Sequence, residues 1–447
     1  MKKKYRRIYA FTLVLVFIVV APLLVLYATG YRYDFDDHKV IKTGVLSVDS
    51  DPRNAQITIN GGKFGSKTPT VIKNLFPGDY SVIIEKEDYF TWEKTLQVFP
   101  NRSTSTERVS LLKSSSPTLV VEERVSNIVF SPNDSYLAYT IVNEKKTNDL
   151  IIKQQGTLRT IHSIEGIDVK TKLAFSSNAN YVYLINPETN YITRIISVDG
   201  QYDIILDLIS PSYIPIKRIT ESSKANVLYA ISESGIKQIN VEEKTFKRFV
   251  DGIIQDVVEI GQSIYYIEVQ ENVSVLMKAD LNDLDNSHKL LTLSHNSECL
   301  LSYITQNYLT LHDIQNNELS LIGIQDQFSL KLNKLNLNVS RFVWSPDENN
   351  LLLYNDFEIW LFNPEQDQQE LLIRSSKQIK YADWSPDGRW MIYSHEGFIK
   401  AIELDGREKR NIVNLAQTDI IPFAVNKNNK VLFFHDSSQN LFQQPIQ

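Results

Sequence analysis

The chain has 447 residues and a mass of 51.4 kDa, too much for one ordinary hydrophobic core, so it holds several domains or one large repeat architecture. Five of its 47 basic residues (Lys2, Lys3, Lys4, Arg6, Arg7) precede the first apolar run, leaving 42 cations against 53 anions elsewhere, a net charge of −11 that argues against binding a phosphate backbone. The single cysteine, Cys299, excludes an internal disulfide framework and multi-thiolate zinc sites, and a composition 43% hydrophobic and 22% charged is that of a folded chain.

The first predicted element is apolar. Ile8 to Ala28 reads IYAFTLVLVFIVVAPLLVLYA without a charge, about 21 residues or ~31 Å as a helix, which matches the hydrocarbon thickness of a bilayer. The preceding cluster of cations places residues 1–7 in the cytoplasm as a short stub and everything after about Gly30 outside. Tyr5 and Tyr9 at one end, and Tyr27, Tyr31 and Tyr33 at the other, suit the aromatic belts of a membrane. A cleaved signal peptide is the alternative, with Ala28 and Gly30 as small residues at the cleavage site. Its apolar region would be longer than such peptides use, so residues 8–28 read as an uncleaved transmembrane signal anchor, followed by a polar linker at 29–42.

Residues 43–112 read as a small β domain. Val45–Val48, Ala55–Ile59, Tyr80–Ile84 and Thr95–Phe99 alternate as strands, and Asn60-Gly61-Gly62 and Pro77-Gly78-Asp79 are turns. The run Ser50-Asp51-Pro52-Arg53-Asn54-Ala55-Gln56-Ile57-Thr58-Ile59-Asn60-Gly61, then Thr68-Pro69, Leu75-Phe76-Pro77-Gly78-Asp79-Tyr80 and Lys86-Glu87-Asp88-Tyr89, resembles a PEGA domain. Arg53-Asn54 stand where that family has Glu-Gly, and Asp88 where it has Gly. The resemblance implies a β-sandwich module of a bacterial or archaeal cell surface, used for contact or spacing, with no catalytic residues to carry over. Within it, Gly61 to Thr68 nearly spells a phosphate-binding loop, but Ser66 occupies the place of the glycine before Lys67 and no helix start follows, so a hairpin loop is expected.

After a linker at 113–117, residues 118–447 repeat at about 40 residues, the period of propeller blades. The clearest copies are Val343-Trp344-Ser345-Pro346-Asp347 before Leu351–Tyr354, and Asp383-Trp384-Ser385-Pro386-Asp387-Gly388 before Trp390–Tyr393. Val129-Phe130-Ser131-Pro132-Asn133 and Ala174-Phe175-Ser176-Ser177-Asn178 are two more. Weaker copies lie near Thr220-Glu221-Ser222, Glu259-Ile260-Gly261, Ser302-Tyr303-Ile304 and Ala424-Val425-Asn426. Eight copies point to eight blades, with seven as the alternative. The last copy runs out after three strands, and Thr118–Glu122 is placed to supply the fourth and close the ring. These repeats resemble the TolB-like, or WD40-like, propellers of bacterial envelope proteins, a group of partner-binding scaffolds and of propellers attached to peptidases. The fold class expected is therefore all-β: one transmembrane helix, a PEGA-like sandwich, then a seven- or eight-bladed β-propeller.

Catalytic and metal sites are not evident. There is no Gly-x-Ser-x-Gly elbow and no helical segment to carry one. The seven histidines (His38, His162, His288, His295, His312, His395, His435) lack a spacing that puts two ligands on one face. Asp283-Leu284-Asp285-Asn286-Ser287 looks like a calcium loop but has no turn glycine, and its twelfth position is Ser294. Asp36-Asp37 and Glu242-Glu243 alternate faces on extended chain and read as solvated charges. No cofactor, metal ligand or catalytic residue is assigned, and no binding residue can be named. The function expected is a non-enzymatic, membrane-anchored surface protein of a prokaryotic envelope that binds a protein or glycan through its propeller and does not bind nucleic acid. A TolB-like accessory of envelope assembly or transport, and a propeller enzyme acting on glycans or peptides, are the alternatives.

Overall fold

The computed structural model describes residues 3–35, 38–122, 125–142, 147–155, 157–168, 170–206, 215–293, 297–302, 308–323, 332–334, 337–418 and 423–447. Lys2, Asp36, Asp37, Ser294, His295, Tyr303 and Ile304, on which the sequence reading drew, lie outside the described residues. The chain forms two compact units. One comprises residues 1–116 with 401–415 and 445–447, and the other residues 117–400 with 416–444.

The first unit opens with a single helix, α1 (Lys3–Ala28), in which Tyr9–Ala28 is long and apolar enough to cross a membrane. Thr29 ends it by donating from both its N–H and its hydroxyl to Val25 O, and Gly30, at φ +89°, turns the chain out of the helix. The segment expected as a polar linker is instead a hairpin of β1 (Tyr31–Asp34) and β2 (Lys39–Lys42). The reason is local: Tyr31 and Tyr33 alternate with polar residues opposite Lys42 and Val40, and Thr43 donates back to Gly30 O, which holds the two ends together.

Seven strands follow: β3 (Gly44–Asp51), β4 (Gln56–Ile59), β5 (Gly62–Lys63), β6 (Thr70–Leu75), β7 (Gly78–Glu85), β8 (Trp92–Val98) and β9 (Ser103–Ser110). They form two sheets in the orders β6-β3-β9 and β5-β4-β7-β8, with β3 and β9 parallel. Alternation puts Leu46 and Val48 of β3, Ile57 of β4, Val82 and Ile84 of β7 and Trp92, Leu96 and Val98 of β8 into one core between the sheets. Gly44 has no room for a side chain, since a Cβ there would lie 2.4 Å from Phe99 O. The expected phosphate-loop decoy is a hairpin: β5 pairs with β4, and Thr68 is buried with its hydroxyl accepting from the Ala55 N–H at 3.0 Å.

Beyond Pro117 the described residues form eight four-stranded sheets. Sheets 1 to 7 span 125–167, 172–205, 216–251, 254–292, 299–334, 341–374 and 382–417, each with four consecutive strands paired in chain order. Sheet 8 takes three strands from 424–445 and its fourth from β10 (Thr118–Val121), which pairs antiparallel with Leu441–Pro445. Small sheets of this kind are what the blades of a propeller require. Successive sheets share cores: Leu150 and Ile152 of sheet 1 pack with Val182 and Ile196 of sheet 2, and Leu319 and Leu321 of sheet 5 with Trp344 and Leu353 of sheet 6. Sheet 8 meets sheet 1 in the same way, through Val121, Phe433 and Leu441 against Val125, Leu137 and Tyr139.

Polar staples run between neighbouring sheets as well. Asn127 Nδ2 donates to Thr171 O at 2.8 Å, Gln255 Nε2 to Ser297 O at 2.8 Å and Arg341 Nη1 to Lys380 O at 2.5 Å. Each donor lies in the first strand of its sheet and reaches the carbonyl just ahead of the next first strand. Between sheets 8 and 1, the Lys427 N–H donates to Asp134 Oδ2 at 2.7 Å and Asn426 Nδ2 to Asp134 O at 3.2 Å.

Candidate binding surfaces

The recurring Ser-x-Asx triplet is a turn device. In Ser131-x-Asn133, Ser176-x-Asn178, Ser197-x-Asp199, Ser345-x-Asp347 and Ser385-x-Asp387 the serine hydroxyl donates to the Asx side chain at 2.5–2.9 Å. The same serine oxygen accepts the N–H of the fifth residue onward, at 2.8–2.9 Å. The six residues from the serine to that N–H are thereby closed into a tight turn, and the last of them is fixed at the start of the next strand. In three turns that residue is a tyrosine: Tyr136, Tyr181 and Tyr202.

These three tyrosines converge. They line one cleft of about 350 Å³ across sheets 1, 2 and 3, with Gln154, Asn180, Gln201, Asn226 and Asp199 around them. The Tyr181 hydroxyl donates to Asn226 Oδ1 at 3.2 Å, and burial, then the neighbouring Tyr202 and Asp199, raise its pKa and keep it a neutral phenol. The Asp199 carboxylate is held by the Ser197 hydroxyl and by the Gln201 N–H at 3.0 Å. Among the described residues, no lysine, arginine or histidine lines the cleft. It therefore offers tyrosine side chains, hydroxyls and carboxamides, a set matched to an uncharged, hydroxyl-rich ligand and poorly matched to an anion.

The strongly perturbed carboxylates lie elsewhere. Burial pushes Asp256 up to about 6 against the opposing pull of Arg218, 3.3 Å away, and of the Leu301 and Val257 amides at 2.8 and 2.9 Å. The side chain thus bridges the first strands of sheets 3, 4 and 5. Burial raises Asp383 to about 6 too, with Lys427 and the Trp384 N–H opposing. Glu259 and Glu221 tie sheets in another way. Glu259 accepts from the Ser222 hydroxyl, the Ser223 N–H and the Tyr229 hydroxyl of the sheet before it, and Glu221 accepts from Ser177 and Tyr183.

A third polar cluster lies within the first unit, at Lys94 of β8. Its side chain has no exposed surface, and its ammonium lies 3.3 Å from Glu403 Oε2 and 3.5 Å from Asp405 Oδ2 while donating to Asp405 O and Arg407 O at 2.6 and 3.0 Å. Trp92 Nε1 donates to Glu403 Oε1 at 2.7 Å, and Arg407 forks onto Asp405 and reaches Ser105 O and Thr106 O. Against a desolvation that raises it, Arg407 and Lys94 hold Asp405 below the ordinary carboxylate range. A cleft of about 400 Å³ beside this cluster is lined by Glu93, Thr95 and Glu408 to Ile412.

The groups weighed in the sequence take structural places. His312 is buried, edge-on to Phe342 and hydrogen-bonded to Val339 O at 2.9 Å, and His395 contacts the Ser375 hydroxyl at 2.7 Å. His162 packs over Gly200, whose φ is +76° and where a Cβ would lie 2.6 Å from the ring. The calcium-like stretch Asp283 to Ser287 is extended chain at the start of the strand Asp283–Thr292, and the turn lies ahead of it, where Asp280 pairs with Asp283 and accepts the Asn282 N–H at 2.8 Å. Among the described residues, no group of three or more His, Cys, Asp or Glu side chains is placed to hold a metal ion. Sequence reasoning did not find the tyrosine cleft or the Lys94 cluster. A signal for the latter is present, since Lys94 occupies an inward position of the alternating run Trp92, Lys94, Leu96, Val98.

Among solved structures, the chain is similar to that described as the crystal structure of the eukaryotic initiation factor, at TM-score 0.48 and 11% identity over 73% of this chain and 87% of the other. It is similar also to the Myceliophteria thermophila Cps50 (Swd1) beta-propeller domain, at TM-score 0.42 and 13% identity over 67% and 100%, and to Kluyveromyces lactis Hsv2, at TM-score 0.44 and 12% identity over 67% and 100%. Likeness at this level transfers no ligand or partner. No curated protein sequence matches the chain. Residues 43–110, the two-sheet sandwich with its Asn60-Gly61 turn, match the PEGA domain, and the chain therefore carries a PEGA domain after its apolar helix.

Proposed function

We propose that this protein is a non-catalytic, membrane-anchored binding protein of a prokaryotic envelope, with α1 as an uncleaved anchor, its N-terminus in the cytoplasm, the PEGA domain as a spacer and an eight-bladed propeller as the binding head. Ring closure is supported by β10, which completes sheet 8, and by the core that sheet 8 shares with sheet 1. The orientation rests on Lys2 to Arg7 before the helix. The non-catalytic reading is supported by the placement of Asp256 and Asp383, whose raised pKa values arise between sheets and not in the tyrosine cleft.

The observation that carries the ligand class is the cleft built by Tyr136, Tyr181 and Tyr202 with its surrounding carboxamides and, among the described residues, no cation. A glycan fits it, because pyranose faces stack on aromatic rings while their hydroxyls exchange hydrogen bonds with amides. Isothermal titration of the full chain in detergent against neutral cell-wall and capsular oligosaccharides tests this. Tyr202→Ala is expected to weaken binding by about 10-fold in a chain that still folds but melts somewhat lower, because the ring also packs on the core of sheets 2 and 3, and equal affinity of the folded variant would reject the cleft as the site. A protein partner is the second reading. It is supported by exposed Ile253, Ile314 and Phe357, which lie in the connection into sheet 4 and in the second-to-third-strand turns of sheets 5 and 6.

A further inference from the structure

The hairpin after α1 carries a surface that the fold leaves uncovered. In its register Tyr31 stands opposite Lys42 and Tyr33 opposite Val40, so these four side chains project from one face, and Arg32 and Ile41 from the other. The second face is fixed to the protein. Arg32 donates from Nη1 to Tyr27 O at 2.7 Å and from Nη2 to Asn74 Oδ1 at 2.9 Å, and its guanidinium lies 3.7 Å from the Tyr27 ring centroid. Thr43 donates from its N–H and hydroxyl to Gly30 O at 2.9 and 2.7 Å. The hairpin is thus held against the last turn of the helix at both ends.

The first face is open. Phe35 is 78% exposed, Val40 58% and Tyr33 45%. The Tyr33 and Phe35 rings meet edge to face at 5.0 Å, and the Lys42 ammonium lies 5.5 Å from the Tyr31 ring. An aromatic pair this exposed, flanked by a valine and a lysine, is costly in water and suited to the boundary between headgroups and acyl chains, where ring bodies are buried and a cation meets lipid phosphate.

We propose that this face lies in the headgroup boundary of the bilayer that α1 enters, with lipid as its occupant. Position decides for lipid over a protein: Tyr31 follows Ala28 by three residues, a reach of at most about 10 Å from the end of the apolar span, and the interfacial layer is itself several Å thick. The proposal rests on the reading of α1 as a membrane span. The hairpin then acts as a stop that sets the depth of the helix.

The test uses the full chain in vesicles of phosphatidylcholine and phosphatidylglycerol, in a Cys299→Ala background, with an environment-sensitive fluorophore on Phe35→Cys or, as a control, on Lys67→Cys in an exposed loop. Resistance to alkaline carbonate extraction establishes the anchor separately. If the hairpin is in the boundary, a nitroxide near the lipid headgroup quenches the label at position 35 several-fold more than the label at 67, and aqueous iodide does the reverse. Equal iodide quenching at both positions in a carbonate-resistant protein overturns the hairpin proposal alone. Release of the protein by carbonate overturns the anchor reading and the hairpin proposal with it.

Discussion

At the scale of single residues, the serine of each Ser-x-Asx turn does two jobs with one hydroxyl, and its removal leaves a backbone N–H without its acceptor. Ser385 is wholly buried and accepts from the Trp390 N–H at 2.9 Å while donating to Asp387 at 2.7 Å. Ser385→Ala is expected to cost about 1–3 kcal/mol, read as a lower urea midpoint with unchanged slope. This chemistry was legible in the sequence, because only a short hydroxyl followed two places on by Asn or Asp closes the turn. Asp256 was not legible: its neighbours Gln255 and Val257 resemble any strand, and its burial depends on Arg218 and on the Leu301 N–H from two other sheets. Its pKa gives a pH prediction with a definite sign. An acid raised from 3.8 to about 6 binds its proton more tightly when folded, so folding stability increases as pH falls from 6 towards 3.8 and is lost again as pH rises through 6. Each unit of that interval is about 1.4 kcal/mol at the limit. Urea unfolding at pH 4.5 and 7.5 should therefore show a smaller difference in Asp256→Asn than in the parent, and an unchanged difference would place the titration elsewhere.

At the scale of elements, β8 shows how a strand can obey alternation and still carry a charge inward. Trp92, Leu96 and Val98 enter the PEGA core, and Lys94, on the same face, is closed over by Glu403, Asp405 and the carbonyls of 405 and 407. A buried cation with two carboxylates is worth little against an apolar replacement of the whole group, but removing one partner strands the others. Lys94→Met is expected to destabilise the protein by about 3–5 kcal/mol, and Lys94→Met with Glu403→Leu by clearly less, as measured by urea titration. Equal losses in the two variants would mean that the cluster does not act as a unit. The hairpin of β1 and β2 has no clear mark in the sequence, because four-residue strands rich in charge give too short an alternation to count. The middle repeats were faint for a physical reason as well. In sheet 4 Ile260 pairs with Ser263 across Gly261 and Gln262, a two-residue turn that has no use for the serine triplet. The tyrosine cleft was hidden because its residues come from three sheets, and only the fold makes Tyr136, Tyr181 and Tyr202 neighbours.

At the scale of the molecule, the decisive strand is the one that arrives first. β10 leaves residues 113–117 and pairs with the strand Leu441–Pro445, so the last sheet is completed from the start of the repeat region. An open row of blades would expose the flank of sheet 1 to water, whereas Val121, 7% exposed, packs with Val125, Leu137, Tyr139, Phe433 and Leu441. A closed ring would join the ends of a chain of nearest-neighbour contacts, and a defect at its seam would free both neighbouring sheets at once. Val121→Asp buries an unpaired carboxylate at that seam, and loses on the order of 3 kcal/mol or more. If the sheets form a closed ring, the loss appears as one shifted, cooperative unfolding transition, with hydrogen exchange accelerated in sheets 1 and 8 together. If the seam is only a local contact, exchange rises at β10 alone and the main transition stays where it was. The companion substitution Val120→Asp, at the bulged position beside it that packs half-buried at the edge of the same core, should cost less, because its side chain is only partly withdrawn from water and a carboxylate there keeps part of its hydration.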